Sequence, residues 1–271
     1  MALNVNFIFA QLMAIALSFV LRTRLPPLPG GDGYTKQQQE HRQQQRHQFA
    51  LISGLLLTYF CFGKQTLLAL VLAGVCYMLL WTIPAVSVHR VTLVACMSFL
   101  SAAHVYRQSL QQAAFVIDIT GPLMLMVQRI STVALGLHDG LTKTPEKMTS
   151  LQRYNSITKK PSALEYFSYL LSFQSILAGP FLMYCDYRDH INGNDEFSRA
   201  VLQYKSVKQA QLRETDRAPE GSSNPPLVPL KPVSVAFRKL ALGALFGIST
   251  VCIASRFPVS LLTGLYFAPR L

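Results

Sequence analysis

Charged side chains are scarce in this chain: only 14% of its 271 residues are charged, whereas 51% are hydrophobic. Soluble globular domains carry about 25% charged residues, so the composition argues against a soluble globule. A bilayer is crossed by about 20 apolar residues, and runs of comparable length lack any Asp, Glu, Lys or Arg: 1–21, 47–63, 65–89, 91–106, 166–185 and 240–255. We therefore predict an all-α fold, a polytopic transmembrane helical bundle with about six or seven spans.

The sequence also lacks the residue spacings of a metal site or a disulfide-rich domain. Its five cysteines include no CxxC pair. His41 and His47 have neither cysteine nor paired carboxylates beside them, so no metal site is predicted. The formal net charge is +12, yet no segment resembles a nucleic-acid-binding module, and nucleic acid is not an expected partner.

The first apolar run lacks the charge pattern of a cleaved signal peptide. No charged residue precedes it, and Arg22 and Arg24 follow it. We interpret it as a retained helix, Val5 to Leu21. The connection from Arg22 to Gln48 holds five basic and two acidic residues, so the positive-inside rule predicts that this loop faces the cytoplasm and the N-terminus the opposite side.

Composition divides the chain into three regions. Residues 1–185 hold most of the apolar runs and are predicted to form the N-terminal transmembrane helices. Residues 186–232 mix charges of both signs and end in Gly, Ser, Asn and Pro, which predicts a hydrophilic, partly disordered loop. Residues 233–271 are apolar again and are predicted to form a further transmembrane helix and an incomplete span.

Charge is placed at membrane depth in the stretch DITGPLMLMVQRISTVALGLHDG, residues 118–140. Read as a helix, the eleven steps from Asp118 to Arg129 make about 1100°, so both charges share one face, about 16 Å apart along the axis. Because charged groups at this depth normally face a bundle interior or a wet cavity, each needs a partner on another element. The stretch is interpreted as one polar wall of an internal chamber, with interhelical packing as the alternative.

A second stretch, residues 161–187, has a similar character. Tyr166, Tyr169 and Phe173 follow the spacing of one helix face, and Gln174 adds a polar group. An aromatic stripe of this kind is more often packing than ligand binding. The candidate residues for lining a chamber or substrate path are Asp118, Gln128, Arg129, Tyr166, Tyr169 and Gln174.

Glycine and proline interrupt both stretches. Gly121-Pro122 is expected to permit a kink one turn after Asp118, and Gly179-Pro180 repeats this break. Gly140 is predicted to cap the end of the first helix. Interrupted apolar helices are typical of proteins that build a cavity within the membrane.

Together these motifs resemble the membrane-bound O-acyltransferase family, most closely its lysophospholipid acyltransferase branch. The resemblance covers most of residues 1–193. It depends on an ordered set of motifs: Asp118, Gly121-Pro122, Gln128, His138-Asp139-Gly140, Pro161, Tyr166, Gly179-Pro180 and Asp186-Tyr187.

The resemblance implies a multi-pass enzyme of the endoplasmic reticulum membrane that moves a fatty acyl group from acyl-CoA to a lysophospholipid hydroxyl. Acyl-CoA is then a co-substrate, the lipid partners are membrane lysophospholipids, and no resident cofactor is expected. The family's general base is a buried histidine with an asparagine nearby, and the resemblance places both downstream of Leu271. No histidine follows His190. We therefore assign no catalytic residue here and expect an N-terminal portion or a short isoform.

Two other functional classes remain open. The chain could be a non-catalytic membrane protein that binds lipid or a full-length homologue. A transporter or channel is supported only by the charged, interrupted helices, because the two Gly-Pro segments show no inverted repeat.

Overall fold

The computed structural model describes residues 2–28, 35–110, 119–177, 179, 181–194 and 232–256, and it contains no β-strand within these ranges. The chain divides into two compact units, Met1–Gln203 and Tyr204–Leu271. The described helices of the first unit are α1 Ala2–Arg24, α2 Lys36–Phe62, α3 Thr66–Thr82, α4 Val88–Leu110, α5 Thr120–Thr142, α6 Ser150–Asn155, α7 Ala163–Leu170 and α8 Tyr184–Asn192. The second unit contains α9, Pro232–Arg256. The predicted all-α fold class is confirmed.

Three stretches of the described chain are long and apolar enough to cross a membrane: Asn6–Arg24, Lys36–Thr82 and Val88–Ser109. The second joins α2 and α3 through a 3-10 turn, Gly63–Gln65. The total of six or seven spans stays a prediction. So does the division at residues 185 and 232, since most of the hydrophilic loop lies outside the described residues.

Neighbouring helices of the first unit alternate in direction. The Cys61 thiol near the end of α2 lies 4.0 Å from the Asn6 carbonyl oxygen in α1. At the other end of the pair, Arg46 Nη1 donates to the Leu25 carbonyl oxygen at 2.6 Å. The α1 and α2 helices are therefore antiparallel.

The same alternation continues through α3, α4 and α5. The Cys76 and Cys96 sulfur atoms of α3 and α4 are 3.4 Å apart. The ring centroids of His89 and His138, from α4 and α5, are 4.0 Å apart. We call the end of this unit that holds Leu25, the 83–87 turn and the end of α5 the upper end, and the end that holds the Gly63–Gln65 turn the lower end.

The α5 helix supplies much of the core. Its buried apolar residues recur at helical spacing and include Leu123, Met126, Ile130, Val133 and Leu137. Burying side chains of this size stabilises a helix by roughly 1.5–3 kcal/mol each against water. The face that carries Arg129 is therefore an interior face, as the sequence predicts.

Two glycine and proline predictions change with the observed helix ends. The α5 helix begins at Thr120, so Pro122 lies in the first turn, where backbone N–H groups need no helical acceptor. The predicted cap at Gly140 is wrong, because α5 continues to Thr142. A side chain on Gly140 would overlap the backbone of Ile157, so this glycine permits a close approach between chain segments.

The predicted aromatic helix face is also only partly right. The α7 helix ends at Leu170, and residues 171–177 form turns. Phe173 therefore lies beyond the helix that carries Tyr166 and Tyr169, although all three side chains are buried. The apolar segment is interrupted well before Gly179.

Candidate functional site

Arg129 lies at the centre of a buried polar network between α5 and the end of α7. Its side chain is fully buried. Its Nη1 donates to the carbonyl oxygens of Tyr169 at 3.0 Å and Leu170 at 2.9 Å, and to Ser172 Oγ at 3.0 Å. Its Nη2 donates to Ser175 Oγ. The last carbonyls of a helix lack intrahelical donors and carry partial negative charge, so the guanidinium acts as a C-terminal cap for α7.

The two candidate tyrosines fix α7 against its neighbours. The Tyr169 hydroxyl donates to the Leu182 carbonyl oxygen at 2.7 Å, and its ring centroid lies 5.5 Å from the Arg129 guanidinium carbon. The Tyr166 hydroxyl donates to the Ala73 carbonyl oxygen of α3 at 3.3 Å. Both side chains are completely buried, and the hydroxyl group of each forms a hydrogen bond, as is usual for buried tyrosines.

The structure separates the remaining candidates from this network. Gln128 is exposed and lies about 100° around the helix from Arg129. Gln174 is half-buried in the turn after α7. Asp118 lies outside the described residues. Of the candidate residues, the structure brings Arg129 and Tyr169 into contact, and it places Tyr166 on the same short helix.

A second buried arginine was not among the sequence candidates. Arg46 of α2 donates from Nη2 to the His190 carbonyl oxygen at 3.0 Å, near the end of α8, and from Nη1 to Leu25. Arg46 lies in a Gln-rich segment, and polar segments of this kind are usually exposed to solvent. Its burial can be predicted only once α8 is known to pack against α2.

His47 of α2 makes a separate set of polar contacts with α7 and α8. Its Nδ1 lies 2.8 Å from Ser168 Oγ and 3.4 Å from the Tyr187 hydroxyl. The Ser168 hydroxyl donates to the Glu165 carbonyl oxygen at 3.0 Å. The tautomer of His47 sets which of the two atoms donates in this contact. With either direction, the contact links α7 to α2.

A cavity of about 170 Å³ lies between α5, α6 and α8. An engineered cavity of about 150 Å³ holds benzene, so this space suits a group of roughly six carbons. Apolar side chains from all three helices contribute to its walls, with polar groups from Asp139 and Asn155. Asp139 forms an ion pair with Lys143 at 2.6 Å, and Asn155 Oδ1 has no hydrogen-bond partner in the described part of the chain. None of the sequence candidates that the structure describes lines this cavity.

The described residues offer no group of three or more His, Cys, Asp or Glu side chains that could hold a metal ion.

One contact beside the cavity perturbs an ionisable group outside the apolar stretches. The Tyr154 hydroxyl of α6 donates to Asp186 Oδ1 of α8 at 2.5 Å. This hydrogen bond to a carboxylate, together with some burial, raises the pKa of Tyr154 to about 12. The Tyr154 hydroxyl therefore stays protonated at pH values above 10, the usual pKa of a tyrosine being about 10.

We expect this contact to give a measurable titration. Because the folded pKa lies above the unfolded value, the contact stabilises the fold fully below about pH 10 and ceases to do so as the pH rises through about 12. The difference in tyrosinate absorbance between the wild type and Tyr154→Phe should have its midpoint near the upper value. Asp186→Asn, which removes the carboxylate, should move it back towards about 10. A wild-type midpoint near that lower value would contradict the contact.

Comparison with known proteins identifies a family that matches most of this chain. The model of the membrane-bound O-acyltransferase family (MBOAT) matches residues 67–245. The chain is 39% identical over 189 residues to lysophospholipid acyltransferase 6 of Drosophila melanogaster, which covers 70% of this chain and 25% of that protein. It is 35% identical over 191 residues to membrane-bound glycerophospholipid O-acyltransferase 1 of Homo sapiens, which covers 70% of this chain and 36% of that protein.

A longer alignment is found with membrane-bound glycerophospholipid O-acyltransferase 1 of Mus musculus. It is 28% identical over 268 residues and covers 98% of this chain but 49% of the relative. The chain thus spans between a quarter and a half of the length of these three relatives.

Proposed function

Because the chain belongs to the membrane-bound O-acyltransferase family, we propose that it serves the transfer of a fatty acyl group from acyl-CoA to a lysophospholipid hydroxyl. In this reaction the hydroxyl oxygen attacks the thioester carbonyl carbon, the carbon–sulfur bond breaks, and the proton passes from the hydroxyl to a base. The names of the relatives, a lysophospholipid acyltransferase and a glycerophospholipid O-acyltransferase, support this substrate class. The proposed location is the endoplasmic reticulum membrane.

The observation that carries the proposal is the buried polar network of Arg129 within the matched region. Arg129 is fully buried in the middle of α5 and holds the turns at residues 171–177 through Ser172 and Ser175. Its role is positioning: it donates to carbonyl and hydroxyl groups of the protein itself. His47, which lies outside the matched residues, contacts Ser168 through its Nδ1. We therefore propose that residues 119–177 build the wall of a chamber whose catalytic base lies elsewhere.

A chimera tests the proposal. The segment of the human relative that aligns with this chain is replaced by the corresponding residues of this chain, and acyl transfer from labelled acyl-CoA to lysophospholipids is measured in membranes. We expect the chimera to be active and the 271-residue chain alone to be inactive, because the family resemblance assigns the catalytic histidine and asparagine to positions downstream of Leu271. A well-folded but inactive chimera would contradict the proposed reaction. Turnover by the purified chain alone would contradict the scaffold role.

A further inference from the structure

Positive charge in the first unit is concentrated at the upper end. Among its described residues, Lys64 and Arg107 are the cations of the lower end, and Arg129 lies in the middle of α5. The other described cations of the unit lie in the last turn of α1, in the first half of α2, in the first turn of α4, or in the chain that follows α5. By the positive-inside rule, the upper end faces the cytoplasm.

Trp81, the single tryptophan of the chain, marks the membrane surface at this end. It lies in the last turn of α3, and 52% of it is exposed. The Lys160 ammonium lies 5.3 Å from the centre of its ring and donates to its backbone carbonyl oxygen at 3.2 Å. Exposed tryptophans at the ends of apolar helices are typical of the headgroup level of a bilayer.

The chain that follows Trp81 carries a further exposed cation. The 83–87 turn leads directly to Arg90, which is exposed, and His138 lies 3.0 Å from the Ala85 carbonyl oxygen of that turn. Asp139 is the nearby acid, and Lys143 already pairs with it. Neither Arg90 nor Lys160 is within ion-pair distance of a carboxylate in the described part of the chain.

We propose that Trp81, Arg90 and Lys160, here called the Trp81 patch, bind the headgroup of an anionic phospholipid in the cytoplasmic leaflet. The cations attract the phosphate and the additional negative group of such a lipid, and the indole lies at the level of the glycerol backbone. A cation near an anionic leaflet contributes to lipid association more than it does near a zwitterionic one. This site is independent of acyl transfer and does not require the proposed function.

The fluorescence of Trp81 reports directly on this site, because the chain has no other tryptophan. The full chain is reconstituted into phosphatidylcholine vesicles that contain a fixed minor fraction of lipid with brominated acyl chains, either phosphatidylserine or phosphatidylcholine. Bromine quenches the indole when that lipid occupies the site. We expect a relative association of at least about fivefold in favour of phosphatidylserine, since each of the two cations near an anionic surface contributes about 1 kcal/mol, and a decrease with added salt.

Matched variants separate the patch from the general charge of the protein. Arg90→Gln and Lys160→Gln should each lower the preference, whereas Lys64→Gln at the lower end should leave it unchanged. Equal quenching by the two brominated lipids in the unmodified chain would overturn the proposal, and this comparison needs no variant to fold. An equal loss of the lipid preference in Lys64→Gln would also overturn the proposal. Loss of the preference on adding inorganic phosphate at constant ionic strength would show a soluble phosphate site instead.

Discussion

Replacing Arg129 by methionine is expected to lower the stability of the first unit by about 1–3 kcal/mol, because the buried Leu170 carbonyl loses its donor. The Tyr169 carbonyl loses the Arg129 donor but keeps the Ser172 N–H at 3.3 Å. Methionine fills a similar volume without offering a donor, so the loss reports hydrogen bonding and not a cavity. The removal of a buried charge partly offsets the loss, which keeps the estimate within the range for one unpaired group.

Thermal unfolding of the purified protein in detergent measures the effect, and each kcal/mol should lower the midpoint by about 2–4 °C in a chain of this size. The neighbouring Gln128→Ala is the matched control. Gln128 is exposed, so its change should stay within about 0.5 kcal/mol. Arg129→Lys should not restore stability, because an ammonium lacks the planar fork that reaches two carbonyls and two serines. Equal midpoints for Arg129→Met and Gln128→Ala would show that α7 has other donors for its end.

The two buried arginines share one physical principle. Arg129 donates to carbonyls at the end of α7, and Arg46 donates to the His190 carbonyl near the end of α8. The C-terminal end of a helix carries roughly half a negative charge, spread over carbonyls that lack donors. An arginine can therefore be held at depth in this fold by the backbone of a short helix, and the two short helices become fixed to α5 and α2.

This principle also explains what the sequence could and could not predict. A charge within an apolar helix has to face inward, so the burial of Arg129 follows from its position alone. The partner of Arg129 cannot be predicted in the same way, because every residue has a carbonyl group. A backbone carbonyl becomes a distinctive acceptor only where a helix ends. The end of α7 at Leu170 is not marked by a glycine or a proline.

Errors at individual residues have the same origin. Hydrophobic periodicity predicts which face of a helix is buried, but it does not define the last turn. Gly140 therefore looked like a cap, although it lies inside α5 and packs against Ile157, and Phe173 looked helical although it follows the end of α7. Gln128 and Ile130 both adjoin Arg129 in sequence, yet Gln128 is exposed and Ile130 is buried, so adjacency alone does not decide which neighbour faces the interior.

The other large expected effect concerns Gly54 of α2, where a methyl group has no room. A Cβ atom on this residue would overlap the carbonyl oxygen of Leu171 and lie 2.7 Å from its carbonyl carbon. Both obstacles are backbone atoms, which cannot rotate away as the end of a side chain can. We therefore expect Gly54→Ala to cost about 3 kcal/mol, the upper part of the usual range for overpacking a core. The measurement is again thermal unfolding of the purified chain.

Gly74→Ala of α3 provides the matched control, because apart from the adjacent backbone of α3 no atom of the described residues lies within 4 Å of the position where its Cβ would be built. Alanine favours a helix over glycine by up to about 1 kcal/mol, so this change should be neutral or stabilising. Opposite signs for the two substitutions would locate the cost of Gly54→Ala in the contact between α2 and the turn after α7.

Since Arg129 holds that same turn through Ser172 and Ser175, Gly54→Ala combined with Arg129→Met should cost less than the sum of the two changes. Full additivity would mean that α2 and Arg129 fix this turn independently, and equal midpoints for the two alanine variants would mean that α2 does not approach the turn this closely.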